Sequence, residues 1–207
     1  MFSARLLLAA LPILGLAASG QPLVTGPVVI FLGAPGSGKS TQAVAAAKHL
    51  KVPIVSAADL VKENAAELNK AKTPGITGIE PETDPLLNRF FEARLKRGDL
   101  AKGVVLDGYP NTKDHADFAS KLVVSGVLPK PLILHLQIPD EIVRKRLGGK
   151  SRTLPPSDEQ RLKDYHRETI ALQTYFPNAE IIPIDGTKKK GAVSKKVIEA
   201  LKAKYGK

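Results

Sequence analysis

The chain has 207 residues, of which 43% are hydrophobic, enough for one α/β domain with a sizeable core and too few for a second independent domain. It has no cysteine, which excludes disulfides, zinc–thiolate sites and a cysteine nucleophile. The net charge of +11 is uneven: residues 187–207 hold eight lysines against the single Glu199. Val193, Val197, Leu201 and Tyr205 recur there every four residues, so the lysines read as the solvated face of a terminal amphipathic helix. Docking to nucleic acid or acidic lipid is the competing reading, but no aromatic or arginine-rich reading element accompanies the lysines, and no nucleic-acid partner is expected.

Residues 1–26 read as a targeting segment. Arg5 is followed by an apolar run from Leu6 to Ala18, interrupted by Pro12, and then by small residues. The run is short for a bilayer span. A secretory signal cleaved near Ala17 to Gly20 fits this pattern, with a mitochondrial presequence and an uncleaved anchor as competing readings. The location therefore stays open between exported, tethered, mitochondrial and cytoplasmic, and any membrane contact is expected through this segment alone. Residues 27–207 are expected to form the domain.

Along that domain, "GPVVIFLG" reads as a buried strand and "TQAVAAAKHL" as a helix. "VPIVS" at 52–56 is a second strand, and "AADLVKENAAELNKA" a helix opened near Ser56 or Asp59. Residues 73–85 are dense in Pro, Gly and Thr and predict a loop. A helix over "LLNRFFEARLKRGDL", the strand "GVVLDG" at 103–108, a helix over "DHADFASKLVVSG" and the strand "PLILHLQI" follow. "PDEIVRKRLGG" predicts a helix with Pro139 near its start. "SDEQRLKDYHRETIALQTYF" predicts a long helix begun by Ser157, with Gln160 completing a capping box. "AEIIPID" is the last strand. Five strands alternating with helices predict an α/β fold with one parallel sheet, whose ligands lie at the carboxyl ends of the strands.

The stretch "FLGAPGSGKSTQA" (31–43) carries the chemistry, because it fits G-x-x-x-x-G-K-[ST], a pattern expected by chance in fewer than about one such chain in a hundred. Its glycines allow backbone N–H groups to converge on phosphate oxygens at a helix N-terminus, and a side chain at Gly36 or Gly38 is expected to crowd that nest. The candidate phosphate contacts are Gly33, Pro35, Gly36, Ser37, Gly38, Lys39, Ser40 and Thr41. Lys39 supplies a point charge, and a hydroxyl of Ser40 or Thr41 can ligate Mg²⁺. Asp107 closes the strand "VVLD" and stands beside the loop if the first and third strands are neighbours, where its carboxylate can hold Mg²⁺ directly or through water.

Beyond the loop, the ordered set of segments resembles the adenylate kinases among the nucleoside monophosphate kinases, from about residue 27 to the end. "GAPGSGKSTQ" is close to that family's loop, "VSAADLVK" resembles its second signature and "LDGYPNT" its third. "IPDEIVRKRL" resembles the helix carrying a nucleotide-contacting arginine, and "IDGT" the adenine-side turn. The resemblance implies a three-layer P-loop NTPase fold with a five-stranded parallel sheet, often monomeric, and transfer of the γ-phosphoryl of Mg·ATP to a nucleoside monophosphate. It also implies that Arg146 packs on ATP, that Lys150 and Arg152 are lid cations, and that Arg161 grips phosphates. The catalytic set is then Lys39, Arg152 and Arg161.

The departures fall on the acceptor side, expected over about 57–85 with Asp59, Lys62, Gly108, Asn111 and His115 as contacts. Ala57 stands where the family usually has threonine, Lys62 and Asn111 where it has arginine, and His115 where a glutamine reads the base. Lysine keeps the charge of arginine but loses its bidentate fork. The lid, about 148–158, is short and stiffened by Pro155–Pro156. Two further readings follow from these departures: a nucleotide-binding protein with slight or no kinase activity, and a kinase for a non-nucleotide small molecule.

Overall fold

The computed structural model describes residues 22–71, 84–176 and 179–206. Most of the expected loop 73–85 and most of the expected targeting segment lie outside the described residues. Five strands form one parallel sheet: β1 (Val28–Gly33), β2 (Ile54–Ser56), β3 (Val104–Asp107), β4 (Leu132–Gln137) and β5 (Glu180–Asp185), in the order β2-β3-β1-β4-β5. Every residue of β1 is buried. Its even positions, Val28, Ile30 and Leu32, enter one core cluster, whereas Val29 and Phe31 enter the other. A strand covered on both faces needs such a continuous apolar run, and the two-residue period sorts it between the layers.

One face of the sheet is covered by α1 (Lys39–Leu50) and α8 (Lys190–Tyr205). Val193, Val197, Ala200 and Leu201 of α8 are buried, as the four-residue repeat requires, and the lysines between them are exposed. Gln42 is buried under the same helix, where the Ser194 hydroxyl donates to its Oε1 (2.8 Å). The opposite face carries α2 (Ala57–Glu63), α4 (Asp84–Leu95) and α5 (Lys113–Val124), with Phe91, Tyr109 and Leu122 among the buried side chains. A third, small cluster joins Ala34 after β1 to Val143 of α6 (Asp140–Leu147), Leu154, and Leu162 of α7 (Pro156–Tyr175).

The structure departs from the sequence reading at four places. The helix expected over 57–71 is broken at Asn64 into α2 and α3 (Ala65–Ala71). The Asn64 side-chain amide and its backbone N–H both donate to the Leu60 carbonyl, a local bond that competes with helical continuation. The capping box at Ser157 does not form. Pro155 is the N-cap and Pro156 the first helical residue, so Ser157 lies inside the first turn and Gln160 bonds Asp164 instead (2.9 Å). The helix after the Pro/Gly-rich segment begins at Asp84, two residues before its expected start, and ends at Leu95, five residues before its expected end.

The fourth departure is the boundary at residue 26, because residues 22–26 already belong to the fold. Leu23 and Val24 donate to the Val127 carbonyl and Thr25 to that of Ala101, while Val24 is fully buried. Val24→Ala should therefore lower the unfolding free energy by about 2 kcal/mol, read as a shifted urea midpoint at unchanged slope. An unshifted midpoint would show that this segment is not part of the cooperative unit.

Candidate functional site: a phosphate cradle at the carboxyl end of the sheet

The switch in sheet order beside β1 directs the site to the carboxyl ends of β1, β3 and β4. Phe31 of β1 is in register with Asp107 of β3, and Ser56 of β2 with the same Asp107, so the carboxylate stands between the loop strand and the α2 start. The loop runs from Gly33 to Gly38, and Gly38 caps α1 with φ 97°, a conformation that disfavours any other residue. A Cβ at Gly38 would meet no atom within 4 Å, so the expected crowding does not arise there; its backbone angle is what demands glycine. At Gly36 the crowding comes from outside the loop, since a Cβ would lie 3.1 Å from Leu147 Cγ of α6.

Two polar groups inside this loop are poised for a ligand. The Ser37 hydroxyl is buried and has no hydrogen-bond partner among the described residues, which is costly unless something else supplies one. Lys39 folds its ammonium back under the loop, donating to the carbonyls of Gly33 (2.6 Å) and Ala34 (3.0 Å). Both of those residues are buried, although Lys39 as a whole keeps some exposure. Burial pushes the ammonium down to about 8; the nearby Asp107 opposes this, and Arg161 adds to it. An amine in that state gains most from an anion placed beside it.

Arg146 is a strut between two turns. Its guanidinium donates to the carbonyls of Gly36 (2.9 Å) and Ser37 (3.4 Å), and through its other nitrogen to that of Gly186 (2.7 Å). Gly186 follows Asp185, whose Oδ1 accepts from Thr187 N–H (2.9 Å) and from the Thr187 hydroxyl (2.6 Å); these bonds hold its carboxyl below the usual range. A cavity of about 540 Å³ opens beside this turn, lined by His135, Gln137, Pro139, Tyr165, Asp185 and Thr187 among others. Its apolar walls and convergent polar groups are suited to a flat ring with hydrogen-bonding edges.

The short lid is a compact turn, with a 3-10 segment at Gly149–Ser151 and Arg152 in the left-handed region at φ 55°. Ser151 Oγ donates to the Gly148 carbonyl (2.9 Å), and Leu154 packs on Ala34 of the loop. Two pairs tie the flanking helices together across this turn. Arg144 of α6 grips both oxygens of Glu159 of α7 (2.7 and 2.9 Å), and His166 Nε2–H donates to Asp140 (2.9 Å). His135 on β4 is bonded to the Tyr165 hydroxyl (2.9 Å), and burial with Lys39 nearby lowers its pKa. The sequence offered a weak signal for the first pair, opposite charges on either side of the lid. For the His135–Tyr165 bond it offered none.

Of the candidate residues, the fold gathers the loop, Lys39 and Arg146, with Asp107 and Arg161 close enough to shift Lys39. Ser40 and Thr41 open α1 and are exposed. Lys150 is exposed in the lid turn, Arg152 pairs loosely with Glu141 (3.4 Å), and Arg161 with Asp158 (2.9 Å). On the acceptor side, Asp59 accepts from the Ser56 hydroxyl (2.6 Å) as part of the α2 cap, and Lys62 is exposed on the last turn of α2. Gly108, with φ 69°, lies against Ala57.

His115, expected to contact the acceptor, is instead a core residue. Thr112 caps α5 by accepting the His115 N–H, which turns the ring inward onto Tyr109, with centroids 4.9 Å apart; its Nδ1–H donates to Asn111 Oδ1 (2.7 Å).

Among the described residues no three His, Cys, Asp or Glu side chains cluster as a metal site. A divalent cation here would take Asp107 and Ser40 and draw its remaining oxygens from a bound polyphosphate and water, the donor set Mg²⁺ prefers.

A phosphate nest at a helix N-terminus, with a lysine beneath it, on a five-stranded parallel sheet defines a P-loop nucleotide-binding protein. Comparison with known proteins narrows the class. A family model described as an AAA domain matches residues 32–163. The chain is 30% identical to an adenylate kinase of Nocardia farcinica, over 84% of this chain and 98% of the relative. It is 33% identical to adenylate kinase 1 of Synechocystis sp. (80% and 92%) and 28% identical to an adenylate kinase of Micrococcus luteus (84% and 89%). The chain belongs to the adenylate kinase family of nucleotide kinases.

The lowered pKa of Lys39 has a measurable consequence without any ligand. In the unfolded chain the amine titrates near 10.5, in the folded one near 8, so between those values the unfolded state binds more protons and stability rises with pH. Relative to Lys39→Met, the wild type should gain stability across that window, up to about 3 kcal/mol, in denaturant melts. Parallel pH profiles for the two proteins would show that the ammonium is not desolvated.

Proposed function

We propose that the chain transfers the γ-phosphoryl group of Mg·ATP to a nucleoside monophosphate. The observation that carries this reading is the loop with the buried Lys39 ammonium under it and the Arg146 strut across it. In the reaction an oxygen of the acceptor's phosphate forms a bond to the γ-phosphorus as the bond from that phosphorus to the β-bridging oxygen breaks. The products are ADP and a nucleoside diphosphate. Such a transfer needs alignment and charge neutralisation more than covalent help.

In this chain the loop N–H groups and the Ser37 hydroxyl hold phosphate oxygens, and Lys39 leaves its carbonyl partners to meet the outer phosphates. Arg146 keeps the loop fixed to the Gly186 turn, beside which the adenine ring fits the cavity edged by Asp185 and Thr187. Arg161, with one carboxylate partner and an exposed guanidinium, supplies positive charge from α7. Asp107 and Ser40 would hold Mg²⁺, which would supply further neutralisation of the phosphate oxygens. The acceptor enters on the β2–β3 side, toward Lys62 and Gly108. His115 is not in contact with it, because the ring is enclosed.

A second reading, nucleotide binding with little transfer, draws support from that same side, where Asp59 is spent on a helix cap and Asn111 on His115. The two are separated by incubating the protein with Mg·ATP and a panel of nucleoside monophosphates, following diphosphate formation and phosphate release separately. Diphosphate from at least one acceptor is expected, and Lys39→Ala should lower its rate by about 10²- to 10³-fold. ATP binding without diphosphate from any acceptor would favour the second reading or a non-nucleotide acceptor.

The short lid excludes water poorly, so slow phosphate release from ATP alone is also expected. A hydrolysis rate that stays negligible until acceptor is added would contradict that expectation.

A further inference from the structure

In a parallel sheet all strands begin at one end, and the covering helices finish there. In this molecule that end is the one opposite the phosphate loop. It is ringed with lysines: Lys51 closes α1, Lys102 precedes β3, Lys121 ends α5, Lys130 precedes β4, and Lys202 lies in the last turn of α8. All five are exposed. The carboxylates at this end are engaged, Asp99 with Arg94, Glu180 with Lys204 and Asp117 with Lys121, so the charge of Lys121 is neutralised and the ring's net positive charge comes from Lys51, Lys102, Lys130 and Lys202.

Beside Lys130 the surface is largely apolar. A groove of about 680 Å³ is lined by Pro22, Val24, Val123, Val124 and Leu128 among others, with Lys130 at its edge, and Val124 is 86% exposed, the most exposed large hydrophobic residue described. The described chain also enters here. Pro22 lines the groove and Thr25 is bonded to Ala101, next to Lys102. Three residues, Ser19 to Gln21, separate Pro22 from the apolar run Leu6 to Ala18.

We propose that the N-terminal apolar run is kept as an uncleaved anchor and that this end of the domain lies against an anionic lipid surface, with the nucleotide site facing away into solution. Neither signal suffices alone. Among the described residues no helix is long and apolar enough to cross a membrane, and a 13-residue apolar run gives weak, reversible binding that a polybasic face converts into stable attachment. Lysines near an anionic leaflet each raise partitioning roughly five-fold at moderate salt, and those more than a Debye length away contribute little. The lysines at the other end, Lys189 and Lys190 before and at the start of α8, are too far from the surface in this orientation to add to it.

The test uses the full-length chain in co-sedimentation with vesicles of phosphatidylcholine alone or with about 30% phosphatidylglycerol as probes. Binding to the mixed vesicles that weakens with salt is expected, together with a tenfold or greater loss in the triple variant Lys51→Gln/Lys102→Gln/Lys130→Gln. The variant Lys189→Gln/Lys190→Gln should bind as the wild type does. Mg·ATP affinity, measured on all three proteins, separates a lost surface from a lost fold. Equal binding to neutral vesicles, equal loss in both variants, or no vesicle binding would overturn the proposal. So would salt-sensitive binding to a duplex oligonucleotide in place of vesicles.

Discussion

The arrangement depends on an ammonium group kept out of water without a carboxylate bonded to it. Lys39 is held under its own loop by two carbonyls, an interaction strong enough to order the side chain but weaker than an ion pair. A salt bridge to Asp107 would have satisfied the charge and left nothing for a ligand. With carbonyl partners the site retains an unmet demand for negative charge, and the orphaned Ser37 hydroxyl adds a demand for a hydrogen-bond partner. Both demands point into the same loop, so an unfavourable feature of the ligand-free protein becomes affinity for phosphate.

Around that loop the structure spends its bonds on rigidity. Arg146 fixes the loop to the β5 turn, Leu154 pins the lid turn on Ala34, and the Arg144–Glu159 pair holds α6 to α7. A bidentate arginine–carboxylate bond is the ion pair for which geometry adds most. Nothing in the described lid resembles a separate flap. The phosphate loop is therefore held in a preformed frame.

Much of this was legible in the sequence. The alternation of apolar strands and helices, the continuous apolar run of β1, and the four-residue repeat of α8 are local patterns, and each placed its element. The glycine loop and Lys39 were legible because their spacing is itself the geometry, whereas the place of Asp107 depended on β3 pairing with β1. The rest depended on longer range or on competing local chemistry. Asn64 broke a helix through its own side chain, and Pro156 displaced the cap from Ser157. His115 was assigned by analogy to the acceptor, but the turn of α5 at Thr112 aims it into the core. The His135–Tyr165 bond joins residues 30 positions apart and leaves no periodic trace.

Phosphate placed beside the desolvated Lys39 restores its charge, an effect that calorimetry reads through the proton. An amine that titrates near 8 is about half neutral at that pH, and polyphosphate beside it restores the charge. Titration with Mg·ATP at pH 8 in buffers of different ionisation enthalpy should show uptake of about half a proton from solution. No uptake, or proton release, would mean that the ammonium is already charged in the free protein and that the cradle is not built on its desolvation.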